Sequence, residues 1–257
     1  MSQSRPESHV NRLESAFAAE TQDLPWIPEA EELPGMPQAL HCQVNEYAAG
    51  LIPENYEPRY PYPLVLWLPS SECETDEVLG HIGNMSPQNY LGLAVEDCVL
   101  GTGASESPLD SAVTHLRQLV DIENRIVAAV RSFREIINVH TERIFIAGVG
   151  KGASTAMLVA MHQPEWFGGC ISFSGGYPAA ASLIPQQPKL DGKRFWLNSP
   201  VLHSGLNSAG QTRHAARMLI AAGADVATRL DDSHLPVSRN MLRDLDEWLI
   251  RGILATS

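Results

Sequence analysis

The chain has 257 residues, 44% of them hydrophobic, which is enough for one large α/β domain or two small ones. Its 18 Lys+Arg against 30 Asp+Glu give a formal charge of -12, a balance that argues against nucleic acid and anionic membrane surfaces, since both need a basic footprint. There is no apolar core behind a basic N-terminus and no run near 18 apolar residues, so neither a secretory signal nor a membrane span is expected. The four cysteines, Cys42, Cys73, Cys98 and Cys170, are scattered without a CxxC pair. They read as free thiols in a reducing compartment, with the cytoplasm as the default and no disulfide framework, structural zinc site or cofactor expected.

Residues 1–38 are charged and then proline-rich ("LPWIPEAEELPGMP") and read as an extended arm, because proline removes a donor and disfavours helix at the residue before it. Within it "LESAFAAE" suits a short helix. From residue 39 to 257 a single domain is expected. "HCQVNEYA" (41–48) alternates like a half-buried strand, "PLVLWLP" (63–69) suits a strand buried on both faces, and "GLAVEDCVL" (92–100) reads as another strand. Residues 110–139 carry helical periodicity, with Val120, Ile126, Val127, Val130 and Phe133 largely on one face. Next come a strand (143–148), a helix (151–163) stopped before Pro164, a strand (168–176) and a strand (199–205). A helix (210–224), a strand (225–231) and an amphipathic helix (237–254) close the chain. Strands separated by helices of this length imply an α/β fold, a mostly parallel central sheet with helices on both faces.

The stretch "RIFIAGVGKGASTAM" places a glycine-flanked turn between a strand and a helix. That is the setting of a nucleophile elbow, G-x-S-x-G, where the turn lifts the central side chain above the sheet and the helix N-terminus offers N–H groups to an oxyanion. Gly148 and Gly152 hold the flanks, Val149 and Lys151 the variable positions, and Gly150 stands where serine belongs. A Walker A loop does not fit, because Gly152 rather than Ser or Thr follows Lys151, and a dinucleotide fingerprint fails because position 153 is Ala.

Six segments in order resemble the carboxylesterase/phospholipase-type branch of the α/β-hydrolase superfamily. "PENYEPRYPYPLVLWLPSS" (53–71) resembles the approach to the family's His-Gly-Gly loop, and "MSPQNYLGLAV" (85–95) its Ser/Asn-Tyr segment. "ERIFIAGVGKGASTAM" (142–157) resembles the elbow and "PEWFGGCISFSGG" (164–176) the strand after it. "PVLHSGLNS" (200–208) resembles the strand and loop of the catalytic acid, and "DDSHLP" (231–236) the loop of the catalytic histidine. The resemblance implies an α/β-hydrolase fold with nucleophile, acid and histidine in that order.

The departures fall on the chemistry. Gly150 vacates the nucleophile position, Asn207 or Ser208 the acid position, and Pro69-Ser70-Ser71 replaces His-Gly-Gly, leaving Ser70, Ser71 and Lys151 as the oxyanion-hole region. His234 alone survives from the triad. Without a hydroxyl at 150 no acyl-enzyme forms there, and in serine proteases changing the orienting Asp to Asn costs about 10⁴-fold. Ser154, one turn into the helix, reads as a packed helix serine, Cys98 and Cys170 as small core residues, and Ser174 as a structural serine near the site.

Two functions follow. The preferred one is a catalytically inactive esterase homologue with a binding or association role; the alternative is an active carboxylesterase- or phospholipase-like hydrolase using an unrecognised nucleophile or a water activated by His234. Lys151 at a helix N-terminus suits an anion, so the expected ligand is a small ester or an anion in the cleft. Asp231 and Asp232 are read as solvated or turn-forming residues with no metal, and His234 as a hydrogen-bonding or packing loop histidine equally with a catalytic one. Gly at 150 also relieves the strain of the elbow, since it adopts such dihedrals freely.

Overall fold

The computed structural model describes residues 40–71, 73–101, 108–178, 180–181, 189–200, 209–231, 235 and 237–255. The proline-rich arm lies outside them. Eight strands form one sheet in the order β1-β2-β4-β3-β5-β6-β7-β8. They are β1 (Leu40–Asn45), β2 (Ala48–Ile52), β3 (Tyr62–Leu68), β4 (Leu91–Val95), β5 (Val139–Val149), β6 (Gly169–Phe173), β7 (Arg194–Pro200) and β8 (Asp225–Asp231). β1–β2 and β2–β4 pair antiparallel, and every other pair is parallel. The helices are α1 (Thr75–Met85), α2 (Pro108–Arg134), α3 (Lys151–His162), α4 (Ala209–Ala221) and α5 (Arg239–Ala255), with a 3-10 turn at Pro164–Trp166.

Alternation along the central strands divides the core in two. Leu64, Leu66 and Leu68 of β3, with Ile144 and Ile146 of β5, face the layer of α2, α3 and α4. Val65 and Trp67, with Phe145, Ala147 and Val149, face α1 and α5. All seven residues of β3 are buried, the pattern of a strand covered on both faces. Trp67 stacks on Phe173, centroids 5.3 Å apart, and joins the β3 and β6 sides of the second layer.

Several elements differ from the sequence reading. The single strand expected at 41–48 is a hairpin, because Asn45 Oδ1 accepts the Tyr47 N–H at 2.9 Å and turns the chain. α1 was not read as a helix, since its polar residues and two glycines dilute the apolar periodicity; Val78, Leu79 and Ile82 nevertheless bury one face. β4 ends at Val95 rather than running to 100, and Asp97 adopts φ 53 in the turn beyond it. β7 (Arg194–Pro200) begins five residues before the expected strand 199–205, of which 201–205 lie outside the described residues. The buried face of α2 is Leu119, Ile122, Ile126, Val130 and Phe133, while Val120 is 40% exposed.

One buried ionisable pair bridges α2 and α3. The Glu123 carboxylate is hydrogen-bonded to His162 Nδ1 and also accepts from Gln163 Nε2 at 3.2 Å. The hydrogen bond to Glu123 outweighs burial and raises His162 above its ordinary value of 6.5. A group raised on folding stabilises fully below its unfolded pKa and loses that contribution as pH rises through the folded one. We predict that the stability difference between the protein and Glu123→Gln, measured by denaturant unfolding, is largest below about pH 6.5 and shrinks as pH rises above it. A pH-independent difference would show that the pair carries no such linkage.

Candidate functional site

The elbow is built where β5 ends. Val149 closes the strand, Gly150 turns at φ 55, ψ −113, and α3 begins at Lys151. The Gly150 N–H donates to Phe173 O of β6 at 2.8 Å, and its carbonyl accepts the Ser154 N–H at 3.1 Å. The dihedrals of Gly150 lie in a region that costs an L side chain on the order of 1–3 kcal/mol. Glycine holds this conformation without that cost.

Both flanking glycines are dictated by packing. A Cβ at Gly148 would stand 2.4 Å from Gly152 C and 2.5 Å from Ala153 N. One at Gly152 would meet Leu68 O at 2.5 Å. Strand, turn and helix thus pack backbone to backbone, and the same contact seats α3 against the end of β3.

The loop after β3 lies beside the elbow. Pro69 has no N–H to offer. Ser70 and Cys73 form an antiparallel bridge in which the Ser70 N–H donates to Cys73 O and the Cys73 N–H to Ser70 O, both at 3.0 Å. The Ser70 hydroxyl donates to Val149 O at 3.3 Å. The loop therefore lies against the elbow, with the backbone donor of Ser70 already engaged. Lys151 is exposed at the first position of α3, whose leading N–H groups have no partner inside the helix.

Other side chains near the elbow are held by structure. Ser154 Oγ donates to Gly150 O at 3.3 Å and accepts the Gly176 N–H at 3.2 Å, which fixes it within the turn rather than over the sheet. Thr155 Oγ1 accepts the Leu100 N–H at 3.1 Å and ties the loop after β4 to α3. Ser174 is fully buried at φ 58, its N–H donating to Asn198 O at 2.8 Å. No cysteine of the chain is poised as a thiolate: burial pushes Cys42 up to about 11, Cys73 and Cys98 to about 12, and Cys170 further.

β5, β7 and β8 run parallel, so the turn at Gly150 and the segments that follow Pro200 and Asp231 leave one edge of the sheet. Asn207, Ser208 and His234 lie outside the described residues, as does Asp232. On the same edge a cavity of about 790 Å³ is bounded by Ser70 and Ser71, by Glu74 and Asp76 at the start of α1, and by Glu96 and Asp97 after β4. Thr75 Oγ1 donates to Glu96 at 2.5 Å, and Arg125 lies 3.5 Å from Asp97. The cavity lies at the carboxyl ends of β3 and β4, the edge of the sheet at which open α/β folds hold their ligands. The sequence reading missed its acidic lining because the four carboxylates come from two loops that meet only in the fold.

No protein-family model matches the sequence, and no curated protein matches it at the level of sequence. Solved structures do match the fold. A carboxylesterase of Bacillus cereus aligns with a TM-score of 0.57 at 16% identity, over 76% of this chain and 90% of that one. A carboxylesterase of Mesorhizobium loti aligns with a TM-score of 0.55 at 12% identity, over 73% and 88%. A thermostable esterase gives 0.51 at 18% identity, over 83% and 62%. The chain has an α/β-hydrolase fold, as expected from the six segments. Among the described residues, no helix is long and apolar enough to cross a membrane.

The geometry ranks three substitutions. Gly150→Ser reinstates a side chain at strained dihedrals and should lower the melting temperature by about 2–10 °C. Gly148→Ala and Gly152→Ala place a Cβ inside backbone contact distance and should each cost more than about 4 kcal/mol. Thermal unfolding of the three variants checks the order; an unchanged or raised melting temperature for Gly150→Ser would contradict the strain at the elbow.

Proposed function

We propose that this chain is an esterase-type α/β-hydrolase homologue that no longer cleaves esters and uses its cleft to bind. The observation that carries the reading is Gly150 at the apex of an intact elbow, φ 55, ψ −113. The turn that would present a nucleophile is in place and carries no side chain.

The loop opposite supports it. Acyl transfer needs two or more preorganised donors aimed at the developing oxyanion, and removing one costs about 10²–10³-fold in turnover. Pro69 supplies none, and the Ser70 N–H is engaged with Cys73 O. The resemblance puts uncharged Asn207 or Ser208 at the acid position, and a triad histidine is a weakened base when the residue there carries no charge.

The competing reading, an active hydrolase with another nucleophile, has fewer supports. Ser154 is committed to Gly150 O and Gly176 N–H, and the cysteines are held as thiols by burial. The carboxylates of the cavity also bear on the ligand. Glu74, Asp76, Glu96 and Asp97 favour a neutral or cationic small molecule there. They oppose the anion that Lys151 and the α3 N-terminus suggest on their own.

The test is turnover of short-acyl p-nitrophenyl esters together with labelling by a fluorophosphonate, with a triad-intact esterase as positive control. The expected result is no turnover above buffer and no label. Turnover that His234→Ala abolishes would overturn the reading in favour of a hydrolase.

A further inference from the structure

Cys73, Glu77 and His81 are spaced four residues apart, from the residue before the N-cap of α1 to its seventh residue. Glu77 and His81, four apart within the helix, lie one turn apart on the same face, and Cys73 approaches them from the bridge with Ser70 that precedes the helix. The thiol sulfur, a carboxylate oxygen and an imidazole nitrogen all lie within 4.8 Å of one another. His81 Nε2 and Glu77 Oε1 are 3.6 Å apart. Ligand bonds of about 2.0–2.3 Å in tetrahedral arrangement place neighbouring ligand atoms about 3.3–3.8 Å apart. The trio is therefore near the edge lengths of a metal tetrahedron without moving the backbone.

We propose that Cys73, Glu77 and His81 form a binding site for a divalent cation of the zinc class, with a fourth position open to water. The donor set, one soft sulfur with imidazole and carboxylate, selects zinc or cobalt over magnesium or calcium, which take all-oxygen shells. Burial grades across the site: Cys73 is 3% exposed at its floor, His81 is half-buried and Glu77 is exposed at the mouth. The ion enters from the solvent side, Cys73 gives up its thiol proton to solvent, and the Cys73 sulfur then binds as thiolate.

Its place in the fold gives the ion a consequence. The Cys73 backbone is paired with Ser70, and Ser70 Oγ is bonded to Val149 O beside Gly150. On the other side the His81 ring lies 6.0 Å from Trp67, which stacks on Phe173. A bound ion fastens α1 to the loop that lies over the elbow, so it acts on the stability of that loop rather than on any acyl transfer. This inference is independent of whether the cleft is catalytic.

The experiment is titration of chelator-treated full-length protein with cobalt(II), followed by zinc. Expected are one equivalent of cobalt with a thiolate-to-cobalt charge-transfer band and intense tetrahedral d–d bands, both displaced by zinc. A rise in melting temperature with zinc should accompany them. Cys73→Ser should lose the charge-transfer band, and Glu77→Gln or His81→Gln, at the more open positions, should weaken binding at least tenfold while remaining folded. Cys42→Ser should bind as the parent does. Absence of the bands, retention of the charge-transfer band in Cys73→Ser, or parent-like cobalt affinity in both glutamine variants would overturn the site and leave the trio a hydrogen-bonded chain.

Discussion

The packing of β5, the turn at Gly150 and α3 against the end of β3 is the constraint on which the rest of the site depends. Gly148 touches the backbone of Gly152 and Ala153, and Gly152 touches Leu68 O. No side chain fits between them. Once α3 is seated so closely, its first two turns become the anchor for the surrounding loops. Phe173 O holds the Gly150 N–H, Ser154 Oγ holds the loop after β6, and Thr155 Oγ1 holds the loop after β4. These contacts make the elbow worth keeping for the fold alone. A glycine at its apex holds the geometry without the conformational cost of an L side chain.

The same economy explains the loop after β3. In a working esterase this loop must present free backbone donors, which is costly to leave unpaired away from water. Here the Ser70 N–H and carbonyl pair with Cys73, and the hydroxyl pairs with Val149 O. The donors that chemistry would need are spent on stability. The crevice beside it is acidic through Glu74, Asp76, Glu96 and Asp97, a lining that repels an oxyanion and suits a neutral or cationic guest. Elbow, loop and lining are the three features on which the proposed binding role rests.

Much of this was legible in the chain itself. The glycines at 148, 150 and 152 report an elbow because their spacing reflects steric necessity, and β3, β5 and β6 show as apolar runs because both of their faces are buried. The α1 segment was not, since Gly80, Gly83 and its polar residues mask a buried face that only the sheet reveals. The face of α2 was legible at Ile126, Val130 and Phe133, which are buried, but not at its N-terminal side, where Leu119 rather than Val120 turns inward and two adjacent apolar residues leave the choice open. The Cys73, Glu77, His81 spacing was visible as four-residue steps, but without a helix there to align them it carried no signal. Asn207, Ser208 and His234 rest on the resemblance alone.

The most direct measurement of the central claim, that catalysis was lost at the loop as well as at the nucleophile, is ester hydrolysis by Gly150→Ser, confirmed as folded by circular dichroism. With the Ser70 donor engaged and an uncharged residue at the acid position that the resemblance assigns, a hydroxyl at 150 should give no turnover of p-nitrophenyl acetate above that of the parent chain. Saturable turnover, or a stoichiometric burst of p-nitrophenol from an accumulating acyl-enzyme, would contradict it and reduce the difference from an esterase to one missing oxygen.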